Sequence, residues 1–341
     1  MKLWFVAALA AAVLGHVQNS AAQAAKPGVA AGAAVAAPPV VWKLATGYRA
    51  ESFHTANIMQ FANQVQQATA GQLGIQVFPN NTLAKLNEIS RAVQDGKAEA
   101  GETIMTSMVN EVPLAGADSI PFVVASYKDA RRLWKLQRPG IERHFAEHGL
   151  TLLYAVPWPP QGLHSVKPIK SAADFKGARM RTYNATTVRI AELLGATPVD
   201  VPMTDVGQAL AEGRMDSMIT SAVTGVENKV WSTIRYYYEI NAWFPKNVVF
   251  VSSKAFNALA PQARSAVKKA ADEAEARGWE VSQQQALSAT EELRRNGVKI
   301  ERIPGELDQE IKRLGERFSR EWVRSVGNEA NDIFVPYYTQ P

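Results

Sequence analysis

Cysteine is absent from the 341-residue chain, which excludes disulfides, thiolate nucleophiles and cysteine-held zinc together. Charge of one sign is scarce as well. The net charge is only +5, and no run of like charges or row of aromatics marks a face for nucleic acid. Also missing are the Gly-x-x-x-x-Gly-Lys-Ser/Thr phosphate loop, the Gly-x-Gly-x-x-Gly dinucleotide turn and the Gly-x-Ser-x-Gly elbow. No cofactor and no metal are therefore expected. With 47% hydrophobic and 20% charged residues the composition is that of a soluble globular protein, long enough for two domains.

Long apolar runs are confined to the start. Lys2 precedes the run Leu3 to Leu14, and small and polar residues follow as far as Ala22-Gln23-Ala24. This predicts a secretory signal peptide over residues 1–24, too short to be a membrane span. The Ala/Pro/Gly-rich residues 25–39 read as a flexible tether. The expectation is an exported, periplasmic protein that is not itself inserted in a membrane.

The remainder alternates strands and helices. Val40 to Thr46 reads as a strand ending in Gly47-Tyr48, with a helix carrying Ile58, Phe61, Ala62, Val65 and Ala68 on one face. A strand from Leu73 to Phe78, a helix near Asn87 to Gln94 and a short strand complete a β-α-β-α-β order, the pattern of a largely parallel sheet. The second half repeats it: a strand from Ala178 to Tyr183, a helix to Leu194, a strand from Thr197 and a helix from Asp205 to Glu212. Two pieces match in type, Ala92 to Ala100 and Ala209 to Ser217; each ends a helix on an acidic residue followed by Gly96 or Gly213. Pro261 opens an apolar pattern that runs to Asn296 before Gly297. A single helix of that length would span roughly 50 Å and cross both halves; two helices broken at Gly278 are the other reading.

His144-Phe145-Ala146-Glu147-His148 matches the His-x-x-Glu-His zinc-peptidase pattern, so an exported zinc metallo-hydrolase using His144, Glu147 and His148 is one alternative. Gly149 follows at once, which places His148 at a helix terminus, where a basic side chain suits the exposed carbonyls. The helix-end reading is preferred, and no enzymatic activity is expected.

Arg181 sits near the carboxyl end of its strand, where open α/β sheets present side chains to a ligand crevice. Its planar guanidinium can hold a carboxylate by two parallel hydrogen bonds. Tyr48 follows the first strand, and Glu102 follows the short strand at Ala98 to Ala100.

The chain resembles the periplasmic solute-binding proteins of tripartite ATP-independent (TRAP) transporters. The matching pieces are Phe61-Ala62-Asn63-Gln64-Val65 with Gly71 to Pro79, Asp118-Ser119-Ile120-Pro121-Phe122, and Asp174-Phe175-Lys176-Gly177-Ala178-Arg179-Met180-Arg181. Gly195-Ala196-Thr197-Pro198, Asp205 to Leu210 and Gly213 to Ser217 extend the match in order. The resemblance implies an α/β fold of two lobes with mixed, mainly parallel sheets and a long helix spanning both. The lobes would comprise 41–158 with 247–286, and 159–246 with 287–341. Trp158 and Trp243 would then lie where the chain crosses between lobes, with Asn247 near the second crossing. Two tryptophans there would give an apolar wall beside a carboxylate clamp. The resemblance also implies that the cleft closes on an organic acid anion paired with Arg181, and that the loaded protein delivers it to membrane permease subunits driven by a sodium gradient. Such proteins are usually monomers, and the long helix of some mediates dimers. Sialic-acid binders of the family carry a second arginine at the place of Gln161 and an asparagine at that of Thr220, so a sialic-acid site is not expected. Gln161, Asn184 and Thr220 are expected to add hydrogen bonds, Tyr48, Trp158 and Trp243 to surround the ligand body, Asn247 to lie near the second crossing, and Glu102 to reach a hydroxyl or amine. A medium-sized monocarboxylate, such as a 2-oxo acid or an aromatic acid, is the expected cargo. A binding protein serving an ATP-driven importer is the remaining alternative.

Overall fold

The computed structural model describes residues 39–339. The expected signal peptide and all but the last residue of the tether lie outside the described residues. In the first half, β1 (Val40–Thr46), α1 (Phe53–Ala68), β2 (Leu73–Phe78), α2 (Ile89–Gln94), β3 (Ala100–Ile104), α3 (Tyr127–Glu147) and β4 (Leu150–Pro157) follow one another. The chain then crosses to β5 (Gly162–Ser165), β6 (Arg179–Thr182), α4 (Ala185–Leu193), β7 (Thr197–Asp200), α5 (Val206–Ala211), β8 (Ser217–Thr220), α6 (Ala222–Glu227) and β9 (Tyr236–Tyr238). It returns through β10 (Lys246–Ser252) and α7 (Ser253–Asn257), and ends with α8 (Pro261–Arg295), β11 (Lys299–Glu301), α9 (Gly305–Val326) and α10 (Glu329–Thr339).

These strands form two mixed sheets, ordered β2-β1-β3-β10-β4 and β11-β9-β5-β8-β6-β7. β1 pairs in parallel with β2 and β3, and β6 in parallel with β7 and β8, as the repeated β-α order predicts. The returning strand β10 enters the first sheet antiparallel to β3 and β4. The two matched helix stops have the same geometry. Gly96 and Gly213 both adopt positive φ, and the next amides, of Lys97 and Arg214, each donate to the carbonyl five residues back at 2.8 Å. That is the glycine-closed helix end, in which a Cβ would be strained.

α8 is one uninterrupted 35-residue helix, ~52 Å long at ~1.5 Å per residue. Gly278 serves close approach rather than a break: a Cβ there would stand 2.4 Å from a methyl of Val156. The helix packs on α1 and β4 beside one sheet and on α6 and β11 beside the other. Beyond α8, α9 buries Leu307, Ile311, Phe318 and Trp322, and α10 packs on α3. The sequence expectations name no helix in this stretch.

The two crossings lie side by side. Trp158 N–H donates to Pro245 O at 2.8 Å, Gln161 N–H to Trp243 O at 3.0 Å, and Ala242 N–H to Gln161 O at 2.9 Å. At their base Lys246 and Asp118 form a fully buried ion pair, with the Lys246 amide donating to the same carboxylate oxygen at 2.8 Å. Crossings tied in this way place the ends of both sheets around one space.

Candidate ligand-binding cleft

That space is a cleft of about 600 Å³. The first half of the chain contributes Tyr48, Leu86, Ile104 and Trp158 to its walls, and the second contributes Gln161, Arg181, Tyr183, Thr220 and Thr224. Lys85, Glu88, Asp200 and Asp205 also line it. Tyr48 reaches the cleft because β1 ends just before it, and Arg181 because it lies one residue from the carboxyl end of β6, opposite Val199 of β7 and Met218 of β8.

Arg181 is buried, yet no carboxylate pairs with it among the described residues. Its Nε donates to Val201 O at 2.8 Å, and its guanidinium carbon lies 4.7 Å from the centre of the Tyr183 ring. Neither contact uses the terminal nitrogens, which are the pair that would grip an anion bidentately. Burial lowers its pKa to about 10, partly offset by Tyr183, Tyr48 and Asp200. Arg181 thus stays charged at neutral pH at an energetic cost that an incoming anion would relieve. Burial likewise pushes the Tyr183 hydroxyl up to about 12, so it remains protonated.

Beneath the cleft runs a buried polar chain. Asn247 Oδ1 accepts from Trp158 Nε1 at 2.9 Å and from the Tyr48 hydroxyl at 3.2 Å. Its Nδ2 donates to Glu102 at 2.8 Å, and the other Glu102 oxygen accepts from the Thr46 hydroxyl at 2.6 Å. Burial raises the Glu102 pKa to about 7 and lowers that of His54, whose Nδ1 stands 3.4 Å from the same carboxylate. The Trp158 ring packs against Tyr48, Phe53 and His54.

The expected site residues therefore separate into three groups. Arg181, Tyr48, Trp158, Gln161 and Thr220 line the cleft. Gln161 has its amide nitrogen on Pro159 O at 2.7 Å, and the Thr220 hydroxyl donates to Thr224 at 3.1 Å. Asn247 and Glu102 stand behind the wall, holding Tyr48 and Trp158 in place. Asn184 and Trp243 are placed elsewhere. Asn184 caps α4 through the Thr187 amide and donates to Thr106 of the first half of the chain at 2.6 Å. Trp243 is packed in the apolar core beside Leu163, Phe175 and Phe318. In this structure the side chain of Asn184 is engaged by the helix cap and by Thr106, and that of Trp243 by core packing, and neither lines the cleft.

Two residues absent from the sequence expectations belong here. Tyr183 follows Arg181 by two positions, so the pleat puts both on one face. Arg49, in the loop after β1, donates to Glu227 O and to O of the cleft-lining Thr204 at 2.7 Å each, and thereby ties the two halves together. The histidine motif has a different place. His144 Nε2 lies 3.0 Å from Glu329 and its Nδ1 lies 3.4 Å from Glu147, so it joins α3 to α10. His148 turns back onto the His144 carbonyl at the helix end.

Residues 45–324 match the family model described as bacterial extracellular solute-binding protein, family 7. An extracytoplasmic solute receptor of Bordetella pertussis solved with pyroglutamic acid is 38% identical, covering 88% of this chain and all of that one, at a TM-score of 0.86. A TRAP solute-binding protein from a marine metagenome, solved with co-purified pyroglutamate, is 36% identical over 89% of this chain and all of that one, also at 0.86. The 2,3-diketo-L-gulonate-binding periplasmic protein of Escherichia coli is 23% identical, with 81% of each chain covered.

Proposed function

The chain belongs to bacterial extracellular solute-binding protein family 7, a family of receptors and not of enzymes, and from that we propose that it captures a small cyclic monocarboxylate of the pyroglutamate type. Its TRAP-type relatives act outside the cytoplasmic membrane, and among the described residues no helix is long and apolar enough to cross one. In this reading residues 1–24 direct export, and the loaded receptor hands its ligand to permease subunits in the membrane. The lobes divide as 41–158 with 247–286 and 159–246 with 287–341.

One observation carries the proposal: a buried arginine facing the cleft, its terminal nitrogens unpaired with any carboxylate among the described residues. Tyr48, Tyr183 and Trp158 line the same cleft and supply aromatic surface for a small ring. Charge favours a single anionic group. The cleft is lined by three carboxylates, Glu88, Asp200 and Asp205, against Lys85 and Arg181, so a second anionic group would meet repulsion. Three solved relatives at 36–38% identity were all found with pyroglutamate.

The test is calorimetric titration of refolded, ligand-stripped protein with L-pyroglutamate, D-glucuronate and L-gulonate. Saturable one-to-one binding of pyroglutamate, with much weaker binding of the sugar acids, is the expected result. Failure of every small monocarboxylate to bind would overturn the reading.

A further inference from the structure

The polar chain under the cleft has a direction, and that direction reaches the ligand. An asparagine amide has a donating and an accepting end, and neighbours that can only donate or only accept fix which is which. Trp158 Nε1–H can only donate, and it lies 2.9 Å from Asn247 on one side. That contact alone sets the orientation, and the Glu102 oxygen on the other side then accepts from the amide nitrogen at 2.8 Å. Asn247 is thus locked with its oxygen toward the cleft wall. The Tyr48 hydroxyl, 3.2 Å from that oxygen, donates its one proton there.

Resting on the carboxylate reading above, we infer that Tyr48 faces the cleft as a hydrogen-bond acceptor, so that the ligand must carry an N–H or O–H besides its carboxylate. A lactam or a hydroxy acid meets this requirement, whereas a 2-oxo acid or a lactone would set lone pairs against lone pairs. Ser107 and Thr220 line the same cleft, and their protons are also placed internally, on Ile104 O and Thr224. Those hydroxyls rotate among three staggered positions and can exchange partners, whereas a phenol proton keeps near the plane of its ring. Tyr48 is held by a buried amide that cannot flip without facing the Trp158 N–H with its own N–H. Glu102 and Asn247 are positioning residues in this scheme: they act on the ligand only through Tyr48 and Trp158.

The test compares pyroglutamate with its ring-oxygen isostere, 5-oxotetrahydrofuran-2-carboxylate, which keeps the carboxylate, the ring and the carbonyl but lacks the N–H. Calorimetry on the wild type should give the lactam an affinity advantage of at least about tenfold, the scale of leaving a buried acceptor unpaired. The Tyr48→Phe variant should bind pyroglutamate more weakly and show little preference between the two ligands. Equal wild-type affinities would overturn the inference while leaving the carboxylate site intact, as would a Tyr48→Phe variant that keeps the full preference. If neither ligand bound the wild type, the carboxylate reading would fail, and this inference with it.

Discussion

Replacing Arg181 by methionine should separate what this residue does for ligand from what it does for the fold. A buried cation without a carboxylate partner is a burden on the unliganded protein. Burial holds its pKa at about 10, two to three powers of ten below the ordinary range, which corresponds to ~3 kcal/mol of destabilisation. The sign follows from linkage: the native state binds this proton less tightly than the unfolded chain does, so the full penalty applies at any pH below about 10 and is relieved above it. Against this stand the bond to Val201 O, about 1 kcal/mol, and the stack on Tyr183, about another 1 kcal/mol. The Arg181→Met protein without ligand should therefore be as stable as the parent or more stable by about 1 kcal/mol, a rise of a few degrees in melting temperature. Its ligand binding should collapse. A carboxylate left in a closed cleft without its charged partner loses about 3–5 kcal/mol, or roughly two to four powers of ten in affinity. Melting curves of both proteins, with and without pyroglutamate at fixed concentration, read both effects at once. Marked destabilisation of the unliganded variant would make Arg181 a structural residue, and an undiminished ligand-induced shift would remove it from the site; either result refutes the reasoning.

Stability should also depend on pH through Glu102. Burial raises its pKa to about 7, so the native protein keeps a proton that the unfolded chain has released, and the associated stability is full below the ordinary carboxyl range and lost as pH rises to about 7. Urea unfolding at pH 5 and pH 8 should show a loss of ~3 kcal/mol from this group in the wild type and a flatter profile in Glu102→Gln; identical profiles would exclude Glu102 as the source. Gly278→Ala should cost about 1–3 kcal/mol in the same assay, because the new methyl group must displace Val156 across the contact between α8 and β4. Arg49→Ala should let the unliganded protein open, seen as a larger radius of gyration by small-angle scattering, with affinity for ligand reduced several-fold.

The sequence carried those parts of the fold that depend on local signals. The parallel β-α units announce themselves through strands closed by glycine turns, and α8 through Pro261 at its start and Gly297 beyond its end. α9 carries its own signal, with Leu307, Ile311, Phe318 and Trp322 recurring at helical spacing, although it plays no part in the sequence reading. For the site, Arg181 was legible because strand ends in such sheets face ligands, and Tyr183 could have been found by the same alternation. The chain from Glu102 through Asn247 to Tyr48 was not legible as a chain: it joins residues 145 and 199 positions apart, which only the return of β10 brings together. Trp158 and Trp243 show the same limit from another side. Both lie at a crossing, and which of them reaches the cleft depends on tertiary packing that neither local sequence encodes.

The bonds between the two halves bear on time as well as on affinity. Arg49 reaches two carbonyls of the opposite half, and Asn184 reaches Thr106, so opening the two halves requires these contacts to part. Residence time should then depend on the opening rate as well as on the ligand's own contacts, so Arg49→Ala should shorten it for every ligand, as stopped-flow release would read. A receptor built in this way holds its cargo for an interval set in part by its own hinge, and a surface that unfastened Arg49 would shorten it.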